Sequence, residues 1–92
     1  MVVVELPEGV DVHNKRGVIE LTGLFTIAEA SEEWVEVFVL PEGYRPDGTV
    51  VCGLESETRP LELWIEPDGS VLADAPRPGW VKLERISFEA AG

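Results

Sequence analysis

Apolar and polar residues alternate along much of this chain with a period of two. Leu61-Glu62-Leu63-Trp64-Ile65-Glu66 is the cleanest case: Leu61, Leu63 and Ile65 share one face, while Trp64 lies on the other between Glu62 and Glu66. Runs rich in Val, Ile, Leu and aromatic residues, bounded by Gly, Pro and Asp, predict strands at Val2 to Leu6, Val10 to His13, Val18 to Ala28, Trp34 to Leu40, Thr49 to Glu55, Leu61 to Glu66, Val71 to Ala73 and Trp80 to Glu89. In Val18 to Ala28, Ile19 and Leu21 fall on one face and Val18, Glu20 and Thr22 on the other. No window shows an i, i+3, i+4, i+7 apolar stripe with caps. Ala28 to Glu33 has a helix-friendly composition but is too short to bury a face, and reads as a loop.

Two runs depart from simple alternation. Trp34 to Leu40 is largely apolar on both faces, with Val35, Val37 and Val39 on one and Trp34, Glu36, Phe38 and Leu40 on the other, which predicts a central strand covered on both sides. In the last run Val81 and Leu83 share one parity, and Ile86 and Phe88 the other. A pleated strand cannot turn all four to one side, so an extra residue, a β-bulge, is predicted near Glu84-Arg85. Pro46-Asp47-Gly48 and Pro67-Asp68-Gly69 are turn signals: Pro sets φ, Asp bonds to its own downstream backbone and Gly supplies a positive φ. The second reads as a tight hairpin, and neither has the further oxygen ligands of a calcium loop. Seven or eight short strands joined by Gly/Pro turns, with no helix, predict one domain over residues 1–92: a small, all-β, antiparallel β-sandwich of jelly-roll-like form.

Composition narrows the partners. Eighteen acidic residues against seven basic ones give a net charge of −11. Phosphate binding requires a basic surface, so nucleic acid is excluded as an expected partner. The charge also disfavours anionic surfaces and serves first to keep a β-rich chain soluble. No run of about 18 apolar residues predicts a membrane span, and Met1-Val2-Val3-Val4-Glu5 lacks the basic start and apolar centre of a signal peptide. A 92-residue chain buries only about 60–65% of its unfolded surface, so association between copies would add needed burial. Cys52 is the only cysteine, sits among apolar residues and is expected to act as a small buried hydrophobe.

Candidate chemistry is sparse. His13, the only histidine, sits in the polar, turn-like stretch Asp11 to Lys15. No nucleophile elbow, phosphate-binding glycine loop or metal-ligand spacing is present, so neither a catalytic residue, a cofactor nor a metal site is expected. A glycan-cleaving carboxylate pair has no support from spacing. The aromatic residues carry more. Trp64 on a polar strand face admits three readings: a subunit interface, packing within its own subunit, or a stacking platform for a sugar ring. Trp34 is expected at the core or its rim, and Trp80 over the end of the core.

Leu40-Pro41-Glu42-Gly43-Tyr44-Arg45-Pro46 is a strand end running into a stiff loop. Two prolines fix φ around a glycine, and Tyr44 and Arg45 are presented on it. This motif, with Gly17-Val18-Ile19-Glu20-Leu21-Thr22-Gly23 before it and Trp80-Val81-Lys82-Leu83-Glu84-Arg85-Ile86-Ser87-Phe88 after it, resembles the C-terminal head domain of siphophage tail-fibre and minor tail proteins, over roughly residues 17–90. The resemblance implies a trimeric β-sandwich at the tip of a virion tail that contacts the host surface without chemistry, with a neutral saccharide favoured as ligand by the net charge. It implies a structural role for Leu40, Pro41, Gly43, Tyr44, Arg45, Pro46, Asp68, Gly69 and Trp80, because a motif shared across hosts holds a fold. Tyr44 would fold onto the core rim and Arg45 would pair with an acid such as Glu42. If the loop instead meets ligand, Tyr44 and Arg45 join Trp64 as binding candidates. Specificity would come from the loops Ala28–Glu33, Glu55–Pro60 and Asp74–Gly79. The competing expectation is a trimerisation or capping domain that binds nothing.

Overall fold

A computed structural model of the chain describes residues 8–91. They form seven strands: β1 (Val10–Lys15), β2 (Val18–Ile27), β3 (Trp34–Val39), β4 (Val50–Ser56), β5 (Leu61–Ile65), β6 (Ser70–Asp74) and β7 (Gly79–Glu89). Every pairing is antiparallel, in the order β1-β2-β7-β4-β5-β6-β3. The all-β antiparallel fold is thus the one the alternation demands, and no helix occurs among the described residues. The strand expected at Val2 to Leu6 lies outside them.

A sheet with one apolar face must cover it, and here the sheet does so by folding over. β4 belongs to both halves: Val50–Leu54 pair with β5, while Glu55 and Ser56 pair with Lys82 and Val81 of β7. The β1-β2-β7 half and the β4-β5-β6-β3 half then face each other across a shared core. Leu21, Phe25, Ile27, Val81, Leu83 and Ile86 come from one side, and Phe38, Leu54, Leu61, Leu63, Ile65, Val71 and Ala73 from the other. The shortest dimension of the molecule, 20 Å, matches two sheet layers about 10 Å thick each. The Phe25 and Phe38 rings meet edge to face across the core, with centroids 5.8 Å apart and planes at 85°.

The expected bulge in the last strand is present. Leu21 pairs with Ile86 and Gly23 with Leu83, so β2 advances two residues while β7 advances three across Glu84-Arg85. Val81, Leu83 and Ile86 are all buried as a result, and Phe88 packs against the same core. Gly23, beside the bulge, has φ +123°. A Cβ there would collide with the carbonyl oxygen of Gly9, which accepts the Leu24 N–H at 3.1 Å.

Three expectations are corrected. Trp34 to Leu40 is not a central strand: β3 is an edge, paired only with β6. Glu36 pairs with Leu72 and Phe38 with Val71, so Val37 is an extra residue. The bulge lets Val37 and Phe38 both turn to the core, while Trp34 and Val39 stand outward, 41% and 42% exposed. Edge strands commonly carry such bulges. His13 lies within β1 opposite Glu20, exposed, and not in a turn. The turn comes later, at Arg16 and Gly17, both at positive φ (55° and 86°) as a two-residue hairpin of mirror-image type needs. Trp80 is half-buried but is not among the residues packed on the core, because its parity opposes that of Val81.

Gly23→Ala is expected to lower unfolding free energy by about 1–3 kcal/mol through backbone strain, plus the cost of moving Gly9, measured by urea titration. Unchanged stability would mean that the Gly9 segment does not cross β2 as described.

Candidate functional site

Alternation along three neighbouring strands builds one outward surface. On β5, Leu61, Leu63 and Ile65 are buried, so Trp64 and Glu62 face out. Register places Trp64 between Val51 of β4 and Leu72 of β6, and Leu72 beside Glu36 of β3. One step along, Trp34 pairs with Asp74. The Trp34 and Trp64 rings reach each other over β6, with centroids 4.9 Å apart and planes tilted by 55°. Trp64 donates from Nε1 to Oε1 of Glu62 at 2.7 Å, which fixes the ring orientation. Val51, 55% exposed, extends the apolar strip, and Glu36, Glu62 and Asp74 are exposed around it.

Trp64 therefore packs within its own chain through Trp34 while keeping an outward surface. A pair of indoles rimmed by carboxylates offers apolar faces for stacking and acceptors for hydroxyl or ammonium donors. Trp34 was expected at the core or its rim. Its place beside Trp64 depends on strand order, since β3 and β5 become near neighbours only through β6, and no local pattern in the chain pairs the two indoles.

The stiff loop does different work. Leu40 is fully buried, and its N–H donates to the Gly69 carbonyl at 2.8 Å. Arg45 donates from Nε to the Leu40 carbonyl at 2.9 Å; the expected ion pair with Glu42 is not found among the described residues. Gly69 sits under both: an added Cβ would meet the Leu40 carbonyl oxygen and lie 2.7 Å from Arg45 Nε. The two sequence features, Leu40–Pro46 and Pro67–Gly69, thus form one locked unit. Tyr44 folds onto the core as expected, with its N–H on the Pro41 carbonyl at 3.1 Å. Gly43, at φ +90°, turns its carbonyl to Asn14 Nδ2. Pro46 is buried and bridges to Ala90. The hairpin closes through Gly69 N–H to Glu66 and Glu66 N–H to Ser70, both 2.9 Å. Asp68 caps it by accepting from the Ser70 N–H at 2.9 Å. That bond holds the Asp68 carboxyl below its ordinary value, with a further contribution from the Arg45 charge.

The three loops expected to vary meet at the opposite end. Ser31 donates to the Pro76 carbonyl at 3.0 Å and Ala75 to the Glu33 carbonyl at 3.2 Å. Arg59 Nη2 reaches the Ala75 carbonyl at 2.9 Å, and Glu57 and Trp80 exchange hydrogen bonds. This end adjoins Trp34. No group of three or more His, Cys, Asp or Glu side chains able to hold a metal ion occurs among the described residues, and no helix among them is long and apolar enough to cross a membrane. No protein-family model matches the chain, and no curated protein matches it.

Asp68→Ala is expected to lower the melting temperature at neutral pH. The Asp68 pKa is depressed on folding, so its stabilisation is present above the unfolded value of 3.8 and is lost as pH falls through the lower folded value. The gap between wild type and variant should narrow below pH 3.8. A gap that is constant with pH would assign the loss to something other than the carboxylate.

Proposed function

We infer that this chain is a non-enzymatic adhesion domain of the phage tail-fibre or tail-tip kind, one that contacts a host-surface saccharide as a homotrimer. The observation that carries this reading is the Trp34–Trp64 pair, held outward on a rigid sheet face and ringed by Glu36, Glu62 and Asp74. Indole faces stack on the apolar side of a sugar ring, and carboxylates accept from its hydroxyls. A surface that needs no charge from its ligand suits a chain of net charge −11, for which a neutral saccharide costs least in repulsion. Three weak sites on one trimer would gain avidity without any new contact. The locked Leu40–Pro46 loop supports the division of labour implied by the resemblance: recognisable residues hold the fold, and the Trp face and adjoining loops meet the partner.

A second reading, a trimerisation or capping domain, is favoured by the strip Val51, Trp34 and Val39, which is apolar enough to pack against another copy. Its rim of like charges opposes that contact.

Trp64→Ala and Trp34→Ala separate the two. For adhesion, each variant keeps its oligomeric state in size exclusion with light scattering and loses about tenfold or more in glycan or cell binding, in line with the loss of an aromatic hot spot. Dissociation of the oligomer would instead assign the face to assembly. Full retention of both would remove the Trp pair from function.

A further inference from the structure

β4 and β7 part company soon after they meet. They pair at Glu55–Lys82 and Ser56–Val81, and the chain rejoins β7's end where Pro46 bridges to Ala90 and the Ala91 N–H donates to the Arg45 carbonyl at 2.8 Å. Between these closures Val50–Leu54 hold to β5 on their far side, and β7 holds to β2 on its own. The two near sides face each other across an opening of about 430 Å³. Backbone groups in a strand point alternately to its two sides, so about half of those in each wall point into this slot. Among the described residues no backbone hydrogen bond crosses it. Exposed strand edges are templates for pairing, and here two of them confront each other inside one sheet.

The slot's size and chemistry select an occupant. A residue in a sheet fills on the order of 160 Å³, from the usual strand spacing, rise and layer thickness, so the opening takes about three residues. Its floor is apolar: Cys52 and Leu54 from β4, and Ile86 from β7. Burial pushes the Cys52 thiol up, which keeps it neutral. Its rim carries Glu55 and Glu84 against one cation, Lys82, and Lys82 is already paired with Glu84 at 3.2 Å. The rim is therefore net negative, on a chain that is itself strongly negative.

We propose that the slot between β4 and β7 docks a short extended peptide segment, with a small apolar residue turned down to Cys52 and Ile86 and flanking basic residues turned out to Glu55 and Glu84. The segment runs antiparallel to one wall and parallel to the other and takes up main-chain hydrogen bonds from both, which is strand addition with two edges in place of one. The slot adjoins the Trp34–Trp64 face at Val51, which borders both, but its peptide docking does not depend on that face's role.

The test uses acetyl-Lys-Val-Lys-amide as probe, titrated into the whole protein at low ionic strength and followed by amide shifts and hydrogen exchange. The expected result is shifts and slowed exchange confined to Val50–Leu54 and Leu83–Ser87. Methylating the central peptide nitrogen should weaken binding by about fivefold, the cost of one hydrogen bond. Glu84→Lys, at an exposed position, should weaken it by about tenfold, with the difference shrinking as salt screens it. The proposal is overturned if shifts fall on the outer edges of β1 or β3, if acetyl-Glu-Val-Glu-amide or the N-methylated probe binds equally well, if simple methyl glycosides fill the slot and displace the peptide, or if no shifts appear up to the solubility limit.

Discussion

One constraint governs this fold: an apolar sheet face with no helix among the described residues to cover it must close on itself. The edge-to-face contact of Phe25 and Phe38 marks that closure. Those residues lie on β2 and β3, strands that are far apart in the sheet order yet adjacent across the core. Their rings join the two halves of a sheet whose strand ladders, among the described residues, meet only at β4. Edge-to-face pairs contribute about 0.5–1.5 kcal/mol beyond the area they bury, a useful fraction of the few kcal/mol by which a small domain is stable.

Folding a single sheet over also decides where irregularity is tolerated. The two bulges, across Glu84-Arg85 and at Val37, sit where strands bend to bring their apolar residues round to the core. The parting of β4 from β7 is a third consequence, since the strand that joins both halves cannot stay paired with both along its length. The outward surfaces are free of these demands. The Trp34–Trp64 face lies outside the core, as do the exposed positions of the three converging loops apart from the buried Pro76, whereas Leu40, Arg45 and Gly69 are locked together against it. A substitution on the face can therefore change a partner without changing the fold.

The strands, the hairpin at Pro67–Gly69 and the bulge in β7 were legible because each is written locally. Val81 and Leu83 against Ile86 and Phe88 is a break in parity that only an extra residue repairs. The same signature stood in β3, with Val35 and Val37 on one parity and Phe38 and Leu40 on the other. Taken as burial on both faces, it pointed to a central strand; taken as a parity break, it would have given the bulge and freed Trp34 to face outward. The pairing of Trp34 with Trp64, and of Arg45 with the Gly69 turn, was not legible. Both depend on strand order, which periodicity does not encode, and Arg45 had many carboxylates nearby in sequence to draw attention from the Leu40 carbonyl.

The most direct test of the closure is a double-mutant cycle on the two rings. Phe25→Leu, Phe38→Leu and the double variant keep apolar volume near the original while removing the aromatic pair. Unfolding free energies from urea titration should show a coupling of about 0.5–1.5 kcal/mol. Additive effects, with no coupling, would mean that β2 and β3 do not meet across the core, and the folded-over sheet would be the wrong description of this protein.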